Sequence, residues 1–278
     1  MKAAQYDYAR PAGCGEAVSL LQQSAGMGKV LGGGQSLGPM MNLRLAQPEL
    51  LVDVRGIAVL RACDEQPDAV TLGAAVTHAD IEDGRVPDPS RGLMPYVAAG
   101  IAYRAVRNRG TLGGSLAHAD PAADWINLMA LLDAQYLLEG PAGRRTVARA
   151  GWMAGAFTTA LAEDELLTAV RIARLSASAR WSYYKFNRKT GEFAEAIGAF
   201  VDDPARGVRR GLIGATDGAP YVIEDAAPLL DGWDARYAAI QLEAAGLQPN
   251  SYEYRVHEVA LRRAAEDLSQ QSQQGNSL

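Results

Sequence analysis

Cysteine is scarce in this sequence. Cys14 and Cys63 are the only two among 278 residues, and neither has a neighbour at metal-ligand or redox-motif spacing. Iron–sulfur clusters usually need four thiolates, so a cluster carried by this chain alone is excluded. So few thiols suit a reducing compartment, and both are expected to be buried apolar side chains. Histidine is nearly as rare, with three in all. His78 and His118 have no second His or Cys at ligand spacing, so no metal site is expected and both read as structural. Basic charge is not in excess: 27 Lys and Arg stand against 32 Asp and Glu, a formal net charge of −5. That argues against a nucleic-acid binder, which needs a basic face to displace counterions. No run approaches the roughly 18 apolar residues of a membrane span. Residues 1–8 have no apolar signal core. The expectation is a cytoplasmic protein without a membrane span.

What is present is an ordinary globular balance, with 48% hydrophobic and 21% charged residues. The length favours two compact units. Apolar periodicity predicts a helix over 16–24, stopped by Gly26 and Gly28. A short strand over 29–31 runs into Gly32-Gly33-Gly34-Gln35-Ser36, a short helix starts within 40–45, and an apolar strand covers 50–54. This order suggests a small α/β unit ending near residue 57. Strands at 69–74, 134–138 and 166–172 and helices at 77–82, 94–99 and 124–132 follow, with Thr77 or Asp80 available to cap the first helix. Beyond a boundary at 175–180 the pattern changes to three strands, 181–186, 194–201 and 207–213, then helices at 235–245 and 253–268. Residues 269–278 are polar and without apolar period, and are expected to be disordered.

Two glycine-rich segments carry the chemistry. Backbone without side chains lets amide groups converge on an anion. Gly32 to Ser36 follows a strand and precedes a helix, so a diphosphate fits there as well as a plain tight turn does. The spacing is neither that of a dinucleotide fingerprint G-x-G-x-x-G nor that of a P-loop, since Gly38 is followed by Pro39. Gly34-Gln35-Ser36-Leu37-Gly38 matches G-x-S-x-G, but an esterase would also need an acid and a late histidine, and only His257 is available. The second segment is Arg107-Asn108-Arg109-Gly110-Thr111-Leu112-Gly113-Gly114-Ser115, a second glycine-rich loop by its composition. Two such loops can grip the two ends of a dinucleotide. Arg107 and Arg109 either offset phosphate charge or are plain surface arginines. Asp124 either accepts from a ribose or is a first-turn carboxylate favoured by the helix dipole.

Taken together these segments resemble the FAD-binding medium subunit of molybdenum hydroxylases, the xanthine dehydrogenase and carbon monoxide dehydrogenase family. The residues that carry the resemblance are Val30-Leu31-Gly32-Gly33-Gly34-Gln35-Ser36-Leu37, then Met41-Asn42-Leu43-Arg44-Leu45-Ala46-Gln47-Pro48 with Leu51-Val52-Asp53-Val54. They continue with Arg107 to Asp124 through Ser115-Leu116-Ala117-His118-Ala119-Asp120-Pro121, then Glu165 to Ile172, then Lys185-Phe186-Asn187-Arg188-Lys189-Thr190-Gly191-Glu192-Phe193-Ala194. The match runs in the family's order over nearly the whole chain.

The resemblance implies an α+β fold: a vanillyl-alcohol-oxidase-like (PCMH-type) FAD-binding domain over 1–176, built of two α/β subdomains of about 1–57 and 58–176. A C-terminal domain over 177–268, a three-stranded antiparallel sheet with helices, and a disordered tail over 269–278 complete it. It implies that residues 32–36 bind the FAD pyrophosphate and that 111–115 also contact it. Asp124 matches a position on the adenosine side, and Leu167 (or Leu166) an apolar contact to the cofactor. Lys185 matches a basic residue near the flavin ring, and Phe193 either an aromatic near the isoalloxazine or a core aromatic. The cofactor-binding set is Leu31, Gly32, Gly33, Gly34, Gln35, Ser36, Leu37, His78, Thr111, Gly113, Gly114, Ser115, Ala117, Asp124, Leu167 and Lys185, with Lys185 and Phe193 as flavin-tuning positions. Three departures stand out: Gly32 for an expected Ala, Ser115 where many relatives carry Asn, and Phe193 for a frequent Tyr.

By the same resemblance the chain does not oxidise the organic substrate. A large partner with a molybdenum–pterin centre hydroxylates it, a small partner with two [2Fe–2S] clusters relays electrons, and FAD passes them to NAD⁺, O₂ or a quinone. The assembly implied is a heterotrimer or a dimer of heterotrimers. Two other readings stay open on sequence: a stand-alone FAD-dependent oxidase of the same fold, and a non-redox nucleotide-binding module.

Overall fold

The computed structural model describes residues 2–275. The chain opens with β1 (Asp7–Ala9), α1 (Cys14–Gln23), β2 (Gly28–Leu31), α2 (Leu37–Asn42) and β3 (Leu50–Asp53). The strands form a parallel sheet in the order β1-β3-β2, with Leu31 beside Asp53. Helix α1 buries Ala17, Val18 and Leu21 against Val52, Val54 and Ile57. It ends where Ala25 and Gly26 take positive φ, at 47° and 86°, a left-handed turn that suits glycine. Helix α2 starts at Leu37, earlier than the expected 40–45.

A larger unit follows: β4 (Cys63–Glu65), β5 (Ala69–Gly73), α3 (His78–Glu82), α4 (Leu93–Ala99), α5 (Arg104–Arg107), α6 (Leu112–His118), α7 (Asp124–Leu131), β6 (Gln135–Gly140), β7 (Gly143–Ala148), the ribbon β8 (Met153–Gly155) and β9 (Thr158–Thr159), and β10 (Leu166–Ala173). Its five-stranded sheet runs β4-β5-β10-β6-β7. Helix α3 begins with a capping box in which Thr77 and Asp80 exchange hydrogen bonds, so both expected caps act together. The expected glycine-rich loop at 107–115 is corrected. Residues 104–107 are helical, the Thr111 hydroxyl accepts from the Gly114 amide at 3.1 Å, and the chain from Leu112 onward is helix α6. Thr111 is a good cap, and it overrides the poor helix propensity of two glycines in the first turn.

After a connection over 174–179 come β11 (Arg180–Phe186), β12 (Ala196–Asp203), β13 (Val208–Gly214), β14 (Tyr221–Ile223), α8 (Ala227–Leu230), α9 (Ala235–Ala244) and α10 (Tyr252–Gly275). The antiparallel sheet has four strands, β11-β12-β13-β14, where three were expected; the short Tyr221–Ile223 pairs with β13. The expected disorder from 269 is also corrected. Helix α10 continues to Gly275, with the Ser269 hydroxyl donating to the Ala265 carbonyl and the Gln271 amide to the Trp181 carbonyl. Once Ala260, Leu261, Ala264 and Leu268 anchor the helix, each further polar residue extends it at little cost. Residues 276–278 of that expected tail lie outside the described residues.

The four-stranded sheet is covered on both faces. Phe200, Ile213 and Ile223 face Leu242, Leu261 and Ala265 of the last helices. Ile197, Ala199, Val201 and Leu212 face α4 and α7 in the main core. Helix α7 therefore lies between two sheets, and all eight of its residues are buried, including Asp124 and Asn127. A helix enclosed on every side can bond its polar side chains only to other protein groups, and that constraint shapes the site.

Candidate functional site

The first glycine segment leaves β2 at Leu31 and turns through Gly32, Gly33 and Gly34, the last with φ +71°. The carbonyls are engaged: that of Gly34 accepts from the Gly38 amide at 3.0 Å, and that of Gly33 from the Gln35 side chain at 3.0 Å. The amides of Gly33, Gly34, Gln35, Ser36 and Leu37 donate to no protein acceptor among the described residues. The Ser36 hydroxyl likewise bonds no protein group among the described residues. A run of unengaged amides in a half-buried turn is an anion cradle. Gln35 is tied back onto its own turn, so it shapes the cradle through Gly33.

The second segment meets the first. A β-carbon on Gly33 would stand 2.1 Å from the Arg109 carbonyl oxygen and 2.6 Å from the Gly110 Cα, so the two backbones are in direct contact. The Thr111 hydroxyl lies 3.1 Å from where a β-carbon on Gly32 would sit. The expectation that 111–115 offers a second amide cradle needs correction. The Leu112 amide donates to Val76, Gly113 to Ala74, Gly114 to the Thr111 hydroxyl and Ser115 to the Thr111 carbonyl. These amides stitch α6 to the β5–α3 connection and are not available. What the segment presents is the Thr111 amide, which donates to no protein acceptor among the described residues, the Thr111 hydroxyl, whose own proton is free to donate, and the open backbone at Gly114, with Ser115 and Ala117 half-buried on the same helix. The seam thus has a run of free amides on one wall and the Thr111 donors beside the open Gly114 backbone on the other.

The two arginines separate. Arg107 holds both oxygens of Glu82, at 2.7 and 2.9 Å, and the carbonyls of Ile101 and Ala102. It is structural. Arg109 is exposed, has no ion pair among the described residues, and stands at the seam. His78, expected among the cofactor-binding residues, lies behind the second segment. Its Nδ1 accepts from Trp125 Nε1 at 2.9 Å, and its Nε2 sits 2.6 Å from the β-carbon position of Gly110. Its contact with the second segment is with the Gly110 backbone. Burial, with help from the Arg107 charge, pushes its pKa down to about 4, so the ring is neutral.

Asp124 opens α7 and is 6% exposed. Its Oδ1 accepts from the Tyr183 hydroxyl at 2.8 Å and its Oδ2 pairs with Lys185 Nζ at 2.7 Å. Burial pushes the carboxyl up, and the ammonium and phenol work against it. Burial also pushes the Tyr183 hydroxyl well up, so it remains a donor. The resemblance gave Asp124 the adenosine side and Lys185 the flavin side. An ion pair of 2.7 Å puts both in one place, so the two cannot serve opposite ends of an extended dinucleotide. Tyr183 was missed, although strand alternation puts residues 183 and 185 on one face.

Leu166 and Leu167 are buried on opposite faces of β10, in the α1 core and the main core respectively. Phe193 is 59% exposed on the turn between β11 and β12, which removes its reading as a core aromatic. Gly191 of that turn, at φ +87°, lies against Ala102. The esterase reading fails, because among the described residues Ser36 bonds no histidine, and His257 lies instead against the Glu253 and Gly214 carbonyl oxygens, at 2.7 and 3.1 Å. Burial raises both thiols, so neither Cys14 nor Cys63 is poised as a thiolate. Among the described residues no group of His, Cys, Asp and Glu side chains could hold a metal ion, and no helix is long and apolar enough to cross a membrane.

The chain is similar to known proteins in both sequence and fold. The family model for the FAD binding domain in molybdopterin dehydrogenase matches residues 4–174. The carbon monoxide dehydrogenase medium chain of Hydrogenophaga pseudoflava is 40% identical over 197 residues, covering 71% of this chain and 69% of that one. The nicotine 6-hydroxylase medium subunit of Paenarthrobacter nicotinovorans is 37% identical over 238 residues, covering 84% and 82%. The structure of the H. pseudoflava carbon monoxide dehydrogenase that lacks the Mo-pyranopterin moiety superimposes with a TM-score of 0.87 at 34% identity, over 96% of this chain and 98% of that one.

Proposed function

This chain belongs to the family of FAD-binding domains of molybdopterin dehydrogenases, and on that premise we propose that it is the medium subunit of a molybdenum hydroxylase. Its FAD takes electrons from [2Fe–2S] clusters of a small subunit, while a large subunit with a molybdenum–pterin centre hydroxylates the substrate. The cofactor supplies the electron chemistry, and the protein supplies binding, orientation and electrostatics. NAD⁺, O₂ or a quinone receives the electrons, and a heterotrimer or its dimer in the cytoplasm is the proposed setting. Two relatives, the carbon monoxide dehydrogenase medium chain and the nicotine 6-hydroxylase medium subunit, support the division among chains. We read residues 1–176 as the vanillyl-alcohol-oxidase-like domain, with subdomains of about 1–57 and 58–176, and 177–268 as the C-terminal domain.

The observation that carries this reading is the contact of Gly33 with Arg109 and Gly110, which sets the free amides of 33–37 beside the Thr111 hydroxyl. These groups would hold the pyrophosphate, with Arg109 offsetting its charge. Lys185, partly balanced by Asp124, would set the charge near the flavin ring. The exposed Phe193 ring would cover the flavin.

The test is the visible spectrum and metal content of the complex pulled down through this chain. A flavin band with broad iron–sulfur absorption and stoichiometric molybdenum is expected. Flavin with turnover and no metals would make it a stand-alone oxidase. No flavin at all would sink the assignment of both glycine segments.

A further inference from the structure

Asn127 lies one turn beyond Asp124 on α7 and is fully buried. Its Nδ2 donates to the Pro121 carbonyl at 2.8 Å and to the Ala123 carbonyl at 2.9 Å. Ala123 is the N-cap of α7 and has no side chain to cap with, so Asn127 ties down the helix entry from inside. Its Oδ1 has no hydrogen-bond partner among the described residues and faces Gly214, where a β-carbon would stand 2.2 Å away. His257 Nε2 in turn lies 3.1 Å from the Gly214 carbonyl oxygen.

The register of the four-stranded sheet gives this contact its meaning. Lys185 pairs with Ile197, and Ile197 with Gly214, so the three form one row across β11, β12 and β13. The first turn of α7 touches that row at both ends, Asp124 on Lys185 and Asn127 on Gly214. Two strand spacings, roughly 10 Å, separate the ends. Two contacts that far apart fix both the rotation and the lateral position of a helix, which a single ion pair cannot do. The same turn carries Trp125, which holds His78 behind the second glycine segment.

We propose that Asn127, seated on Gly214, is a positioning residue that keeps the Asp124 carboxylate on the Lys185 ammonium and so sets the charge that Lys185 presents to the flavin. The inference rests on the flavin reading above. If Asn127 lets go, the helix entry relaxes and Asp124 withdraws. Lys185 then acts as an uncompensated cation, which favours the reduced, more negative form of the cofactor.

The experiment is a double-mutant cycle on the FAD-loaded protein, read by the flavin midpoint potential and the FAD dissociation constant. Asn127→Ala should shift the potential positive and weaken FAD binding several-fold. In a Lys185→Met background the same substitution should leave the potential unmoved, because no cation remains to be released. Gly214→Ala, which pushes a methyl into the Asn127 amide from the other side, should reproduce the positive shift and serves if Asn127→Ala does not fold. A wild-type potential in both variants, or an equal shift with and without Lys185, would overturn the proposal and leave Asn127 a merely structural residue. Wild-type protein that takes up no FAD would instead overturn the flavin reading itself, and this inference with it.

Discussion

Gly33 and Arg109 adjoin so closely that position 33 admits no side chain: a β-carbon there would stand 2.1 Å from the Arg109 carbonyl oxygen. The residues are far apart in sequence, and their contact closes the seam between the first parallel sheet and the larger unit. Gly33→Ala must push backbone against backbone. It should cost about 1–3 kcal/mol of stability and at least about tenfold in FAD affinity, since each 1.4 kcal/mol is a factor of ten. Gly38→Ala is the control, because nothing lies within 4 Å of its β-carbon and it sits in α2. Thermal melts and FAD titration check both, and equal behaviour of the two variants would refute the seam.

Lys185→Met should leave the Asp124 carboxylate buried without its ion-pair partner. Removing one partner of a buried pair typically costs about 3–5 kcal/mol. The loss is expected to depend on pH with a definite sign. Without the ammonium, burial raises the Asp124 pKa further above its unfolded value, so the folded state binds the extra proton. The variant should be least impaired at acid pH and lose stability as pH rises. Denaturant melts at several pH values test this, and a uniform loss would contradict it.

His78 predicts the opposite slope. Its pKa of about 4 lies below the unfolded value of about 6.5. Between those values the unfolded chain binds more protons, so stability falls as pH falls through that window, by up to about 3 kcal/mol. His78→Gln should flatten that part of the profile. An unchanged acid limb would mean that other groups produce it.

Arg107 and Arg109 should behave differently although they are two residues apart. Arg109→Ala should weaken FAD binding and reduce its salt dependence while leaving the melting temperature nearly unchanged, because the side chain is exposed and unpaired. Arg107→Ala should lower the melting temperature, because it strips partners from Glu82, Ile101 and Ala102. Reversed outcomes would exchange the structural and the binding arginine.

Much of the site was legible because the signals are local. Thr77 with Asp80 announces a capped helix, and strand followed by three glycines announces a tight turn with exposed amides. The misreadings also have local causes. Glycine content alone makes residues 111–115 read as a loop, but one hydroxyl, that of Thr111, caps a helix over Gly113 and Gly114. The polar stretch from 269 has no apolar period of its own, yet it continues a helix already anchored by Leu261, Ala264 and Leu268.

By itself the sequence determined the alternation of strands and helices, the two glycine segments, the poverty in thiols that excludes an iron–sulfur cluster held by this chain alone, and the family. These follow from periodicity, backbone freedom and side-chain chemistry, which act over a few residues. Only the tertiary structure decided which amides are free, that Arg107 is tied and Arg109 is not, and that Asp124, Tyr183 and Lys185 share one place. The reason is physical. A hydrogen bond or an ion pair between residues some 60 positions apart depends on how α7 lies across β11 to β13, and the packing of one buried helix between two sheets settles that.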